Sequence, residues 1–575
     1  MPAATTARWR HPERWLAAAA GVALIVLVSG PLVALVLTAF RATADALPFE
    51  PQASWTLENV RRLLTDASLF ASVVPTTVVY TVAVVALAMA LGTFFAWLIE
   101  RTDIGGRSAL FVALVSPLVI PTVVKAIAWV MLAGPAAGYV NVALRRLFAF
   151  GAPGPLNIFT LPGLILGQTL ELVPLGVIFM TAAFRGLDPS FEDASALSGA
   201  GPWTTLRRVT IPVLLPATLA LAVVLTTLTL EMVELPLAIG TPGGVRVFST
   251  WMFLAMNQAG LLPDYGFVAA ATAPVFGLGL AALWLYNRAT RTAERYVTLS
   301  GKGFRPRRVS LGIWRPLAWL VTATYVMVAL AVPAGIMLVT SIFPGAARSA
   351  RALLQPPSLE AYRAVLGDPT TALAFRNTVV AGGTGATAAV ALSVVVAWLV
   401  VRTTVPGRRW LDFMTFAPLT IPAVIMGFAV ALLYLVVPIG IYGTVWILAV
   451  AYATRLAVAS RILRASLLQV HRDLEDASAV SGATMIQTLC RVVVPLLSPA
   501  IGVAWLLLFV VSFREFTIGM ILYRPGNVVV GVHLWRLYER GELAQASALG
   551  FSMIAIVAVL GIVVRRALMP DWERA

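Results

Sequence analysis

Apolar runs long enough to cross a bilayer, free or nearly free of charge, recur from one end of this chain to the other, as from Trp15 to Phe40 and from Leu69 to Ile99. A helix needs roughly 20 such residues to span the hydrocarbon core, whereas a strand needs only about half as many. The runs therefore fit membrane helices. Their weight in the whole, 59% hydrophobic residues against 12% charged and a mean hydropathy of +0.89, excludes the string of soluble domains that 575 residues would otherwise suggest.

Reading apolar runs between charges gives spans near 15–40, 69–99, 108–133, 159–184, 211–240 and 266–287, then near 316–343, 372–401, 411–436, 441–468, 495–523 and 543–564. The fold class is an all-α integral membrane protein of about 12 helices in two six-helix halves, 1–290 and 316–575, joined by a basic linker at 291–315. The ninth and tenth spans are split around Pro438–Gly443, because one helix of their joint length would not fit the membrane. The first run follows Arg8, Arg10 and Arg14 and has a signal-peptide flavour, but it is too long for the apolar core of such a signal.

The formal charge of +16 does not point to nucleic acid, since the arginines sit at the ends of apolar runs rather than in a soluble basic domain. They mark topology. Between Asn287 and Arg315 the connector carries Arg288, Arg291, Arg295, Lys302, Arg305, Arg307, Arg308 and Arg315 against the single acid Glu294, so it is expected on the cytoplasmic side. With six spans on either side, both termini are expected there too, and the mixed-charge segments 41–68 and 344–371 outside. Cys490 is alone, and His11, His471 and His533 are far apart, so neither redox chemistry nor a metal site is expected.

Two segments repeat without a gap: EDASALSGAGPWTTLRRVTIPVLLPA at 192–217 and EDASAVSGATMIQTLCRVVVPLLSPA at 475–500, offset by 283 residues (475 minus 192). Each lies between the fourth and fifth span of its half, a parallel internal duplication. Ser190 and Asp473 are placed to cap a short helix, with Glu192, Asp193, Glu475 and Asp476 in its first turn, where the helix dipole favours acids. Gly199 and Gly482 are expected as left-handed ends, and Pro212 and Pro495 as the first turn of the following span. One such helix often only connects two spans. Two copies at matched positions, with the small residues Ala194, Ser195 and Ala196 or Ala477, Ser478 and Ala479 beside the acids, suit insertion into a cleft on another protein.

Asp193-Ala194-Ser195 with Gly199 and Pro212, and Asp476-Ala477-Ser478 with Gly482 and Pro495, resemble the coupling loop of binding-protein-dependent ABC importer permeases. That motif reads Glu-Ala-Ala, then Gly, then Pro thirteen residues on; here aspartate replaces its glutamate and serine its second alanine. The whole chain resembles the fused two-half, ferric-iron-type members, with support from LEMVELPLAIGTPGG at 230–244 and SFREFTIGMILYRPGNVVVGVHLWRLYERG at 512–541. The resemblance implies the type I importer permease fold in a bacterial inner membrane, a periplasmic or surface binding protein, and two ATPase subunits that carry ATP and Mg. It implies ferric iron as cargo, with thiamine, a polyamine or a phosphonate as alternatives.

This chain lacks a phosphate loop of its own: Lys125 is followed by Ala126, and Lys302 by Gly303 with Tyr296 where the first glycine should stand. No cofactor and no catalytic grouping is expected, and the different-class alternative is an ion-driven secondary transporter. Charges inside spans are functional candidates because each costs about 3 kcal/mol at mid-membrane. At the same 283-residue offset Glu231 matches Arg514, with Glu234 and Glu515 nearby. Glu231 and Arg514 either face each other across the pseudo-twofold axis, in the pathway or its gate, or pair separately within each half. Glu171 and Arg455 nearly match as well and are read as structural, while Lys125 is read as structural or as reaching toward an interface.

Overall fold

The computed structural model describes residues 12–568 except 43–48, 51–52, 149–150, 152, 189, 257–263, 294–307, 344 and 346–354. Arg8, Arg10, His11, Glu294, Arg295, Lys302, Arg305 and Arg307 lie outside the described residues. Within them the regular structure is helical, with two isolated bridges, Arg41 to Trp55 and Thr102 to Val309.

Among the described residues seven helices are long and apolar enough to cross a membrane: Pro12–Ala39 (first span), Leu69–Arg101 (second), Leu161–Arg185 (fourth), Gly312–Ile342 (seventh), Pro369–Arg402 (eighth), Met485–Phe513 (eleventh) and Leu543–Val563 (twelfth). Four bent pairs bring the number to 11: Arg107–Val119 with Thr122–Ala133 (third, 87°), Trp203–Val213 with Leu215–Glu231 (fifth, 71°), Arg408–Leu419 with Ala423–Val436 (ninth, 112°) and Val445–Ala453 with Leu456–Gln469 (tenth, 46°). The shorter apolar stretch Tyr265–Gly279, inside the helix Tyr265–Ala293, stands where the sixth span was expected. The bends correct the reading of these four spans as single rods. The fifth also ends at Glu231 rather than near 240.

Proline accounts for much of this. Pro121 and Pro422 hold the preceding Ile120 and Ile421 in extended backbone, with ψ of 121° and 116°, which breaks the third and ninth spans at matching points. Elsewhere proline is absorbed without a break. The wide turns Ile25–Ser29, Leu69–Val73, Leu206–Thr210, Met327–Ala331 and Leu489–Val493 each stand just before Pro31, Pro75, Pro212, Pro333 and Pro495. Proline offers no amide and crowds the carbonyl four residues back, and one π turn relieves both. Pro212 and Pro495 therefore sit inside helices that begin at Trp203 and Met485, and do not start them.

The second and fourth spans touch through backbone. A Cβ on Gly92 would lie 2.7 Å from the Gly176 Cα, and in the other half a Cβ on Gly385 would lie 2.8 Å from the Tyr452 Cβ and 3.0 Å from the Ala449 carbonyl. Small residues replace hydrophobic driving force here, since lipid is as apolar as leucine. The first span crosses to pack on the eighth and ninth, and the seventh packs on the third, so each half's opening helix lies against the other half. The linker's far end is fastened to the end of the second span: Val309 N donates to Arg101 O at 2.9 Å, and Arg315 Nη2 to Asp103 Oδ2 at 2.5 Å.

Candidate functional site

The repeated segments form the helices Ser190–Leu197 and Asp473–Val480. Each ends as expected in a left-handed glycine, Gly199 at φ 82° and Gly482 at φ 83°. The amides of Ala200 and Ala483 turn back to the Ser195 and Ser478 carbonyls at 3.1 Å, which satisfies groups a helix end leaves open. The N-terminal caps differ from the sequence reading. Ser190 donates its amide to Asp188 Oδ1 at 2.9 Å, so Asp188 supplies the acceptor, and this bond holds the Asp188 carboxyl below its usual range. Asp473 is already inside its helix and faces His471 Nδ1 at 3.0 Å, while the capping position falls to Arg472, which gives no side-chain bond.

Each helix is tied inward by a matched hydroxyl pair and a matched acid–arginine pair. Ser195 Oγ meets Thr205 Oγ1 at 2.9 Å, and Ser478 Oγ meets Thr488 Oγ1 at 2.9 Å. Glu192 pairs with Arg101 Nε at 2.8 Å and accepts from Thr210 at 2.9 Å; Glu475 pairs with Arg402 Nε at 2.7 Å and accepts from Trp398 Nε1 at 3.0 Å. The two arginines close the last residues of the second and eighth spans. Arg101 also donates to the Phe184 carbonyl at 2.9 Å, and Arg402 to Leu467 at 3.1 Å and Val470 at 2.6 Å, where the fourth and tenth spans end. Arg101 and Arg402 were not singled out from sequence; their only signal is a charge at the end of an apolar run.

The other side of each helix is open. Phe191, Ala194 and Trp203 are exposed around the first, and Leu474, Ala477 and Ile486 around the second. Leu197 and Val480, each two residues before its glycine, are 88% and 90% exposed. Both helices thus display matched apolar residues at a polar loop.

In the interior, Glu231 and Arg514 neither face each other nor pair within their own halves, which corrects both expectations. Arg514 Nη2 stands 3.6 Å from Glu171 Oε1 and donates to the Ile120 carbonyl at 3.3 Å. Glu171 also takes Lys125 Nζ at 2.5 Å and Thr122 Oγ1 at 3.1 Å, so Lys125 is buried and paired rather than reaching for an interface. Arg455 binds Glu515, and it and Glu515 are the charges that act on Glu231. Glu234 is buried within range of Arg514 and Glu515. Glu171 and Arg455, read as merely structural, thus join the two halves: the fifth-span charge of each half turns to a fourth-span charge of the other. Among the described residues no cluster of three or more His, Cys, Asp or Glu is arranged to hold a metal ion.

Residues 389–568 match the family model of binding-protein-dependent transport system inner membrane components. Along most of its length the chain is similar to a ferric transport system permease protein of Actinobacillus pleuropneumoniae, 25% identical over 488 residues, 83% of this chain and 68% of that one. An Fe(3+)-transport system permease protein of Haemophilus influenzae is 23% identical over 558 residues, 95% of this chain and 96% of that one. Over residues 389–568 the chain is a permease component of this family. A chain of a bacterial ABC transporter involved in the import of alginate overlaps it at TM-score 0.35 and 17% identity, covering 46% of this chain and 97% of that one.

The permease is a multi-pass inner-membrane component in two halves, and the ATPase of such a system resides on separate subunits. Its matched region contains the second repeat helix and Arg402, together with Arg514 from one interior cluster and Arg455 and Glu515 from the other.

Proposed function

We propose that this permease imports ferric iron, moving it between its two halves as partner ATPase subunits close. What carries the reading is the pair of repeat helices, tied by Arg101 and Arg402 to the ends of four spans, with matched apolar residues exposed on the side left open. Two ATPase subunits dock there, on the cytoplasmic side, with Asp193, Ala194, Ser195 and Gly199 in one cleft and Asp476, Ala477, Ser478 and Gly482 in the other. Their approach on binding ATP pulls Glu192 and Glu475, and through the arginines the second, fourth, eighth and tenth spans. A binding protein delivers cargo to the opposite face. Iron is supported by the names of relatives covering most of the chain.

The test is uptake of radiolabelled ferric iron in cells lacking this chain, restored with wild type or with Gly199→Trp plus Gly482→Trp at matched membrane levels. Both glycines have positive φ and open space beside them, so tryptophan strains the turn and projects into the docking cleft without striking the bundle. Rescue by wild type alone supports cargo and docking together. No rescue by wild type removes iron and turns the search to thiamine, polyamines and phosphonates, while full rescue by the variant removes the docking assignment.

A further inference from the structure

A buried break in a membrane helix leaves backbone groups that water cannot satisfy, so something in the protein must. In this permease the breaks of the third and ninth spans are met from the opposite half. Arg514, the residue that closes the helix Val494–Phe513, donates to the carbonyl of Ile120 in the break of the third span. Glu231, the last residue of Leu215–Glu231 and the match of Arg514, stands against the amide of Ala423 in the break of the ninth.

Opposite charges can occupy equivalent positions because the two contacts use opposite ends of a broken helix. Ile120 follows the end of Arg107–Val119, where free carbonyls give a negative pole that suits an arginine. Ala423 begins Ala423–Val436, where free amides give a positive pole that suits a glutamate. The neighbouring charges have other partners besides the two caps: Glu171 holds Lys125 and Thr122 as well as Arg514, and Arg455 holds Glu515. Neither cap is therefore needed merely to neutralise a buried partner.

We propose that Arg514 and Glu231 are reciprocal caps across the pseudo-twofold axis, each fixing the broken third span of the other half, and that the halves move together because of them. The fifth span carries the repeat helix at its start and the cap at its end. A pull on a repeat helix in one half then reaches a break in the other.

The test is hydrogen exchange in the full chain held in lipid nanodiscs, followed by uptake in cells. Glu231→Leu should speed exchange around Ala423 about tenfold, and Arg514→Met should do so around Thr122 to Lys125. Glu231→Gln and Arg514→Gln keep an acceptor and a donor without the charge, and should leave both breaks within about twofold of wild type with uptake retained. The double reversal Glu231→Arg, Arg514→Glu should loosen both breaks, because each side chain then meets the wrong backbone group. Glutamine variants as loose as the apolar ones, or a double reversal that exchanges like wild type, would overturn the proposal. If the apolar variants do not fold, the glutamine variants and the reversal decide it alone. Exchange needs no cargo, so an error over iron leaves this result standing.

Discussion

Arg402 and Glu475 are joined at 2.7 Å with only 12% and 11% of their side chains exposed, and the same guanidinium holds the carbonyls of Leu467 and Val470. One residue thus ties a repeat helix to the ends of two spans. Truncating one member of a buried pair strands the other, at a cost of about 3 kcal/mol. Arg402→Ala and Arg101→Ala should lower the melting temperature of the purified permease and cut uptake more than tenfold. Lysine cannot reach carboxylate and carbonyl together from one planar group, so Arg402→Lys should recover stability better than uptake. Equal recovery of both would show that the arginine only holds the fold.

The hydroxyl pairs Ser195 with Thr205 and Ser478 with Thr488 bind each repeat helix to the segment that follows it. A neutral hydrogen bond contributes about 1 kcal/mol net. Ser195→Ala and Ser478→Ala should each raise amide exchange within Ser190–Leu197 or Asp473–Val480 by about fivefold, with the remaining spans unchanged. Alanine stands at this position in the family motif, so uptake should survive either change. A variant that folds yet exchanges at the wild-type rate would show that these pairs add nothing to the helix.

Much of this arrangement was legible because the repeat preserves its spacing. The 283-residue offset located both helices, both positive-φ glycines and the matched charges Glu231 and Arg514. The same offset hid the partners. Arg101 and Arg402, like Pro121 and Pro422, are 301 residues apart (402 minus 101), because the first half carries extra chain between its third and fourth spans, including the helix Tyr139–Phe148. A single register could not bring the arginines into view beside their glutamates. Nor could hydropathy show that Ile120–Pro121 and Ile421–Pro422 bend the chain, since an apolar run reads the same whether straight or folded. The crossed partners of Glu231 and Arg514 depend on how the halves are set against each other, which no one-dimensional pattern records.

The contact of Gly92 with Gly176 leaves no room for a methyl group. A Cβ on Gly92 would meet backbone at 2.7 Å, and backbone cannot swing aside as a flexible side chain can. Gly92→Ala should therefore push the second and fourth spans apart and destabilise the permease by about 1–3 kcal/mol, the usual range for overpacking. Gly383→Ala makes a matched control, since a Cβ there meets nothing within 4 Å. Melting of the two purified variants checks this, and equal melting temperatures would remove close packing as the reason for glycine.

Asp188 gives the first repeat helix a pH response of predictable sign. The Ser190 amide holds the folded carboxyl below the ordinary aspartate value of 3.8, and this group lies at the surface outside the spans. A depressed folded pKa means that the cap's contribution is fully present above the unfolded value and is lost as pH falls through the folded one. Between pH 5 and pH 8 the Asp188 cap should therefore be constant, and exchange within Ser190–Leu197, corrected for intrinsic rates, should be flat across that window. Below about pH 3.8 it should rise. Asp188→Asn keeps an oxygen acceptor that does not titrate, so that rise should vanish while the helix persists. Asp188→Ala should show faster exchange at every pH. An asparagine variant that still loosened in acid would show that the response does not come from Asp188.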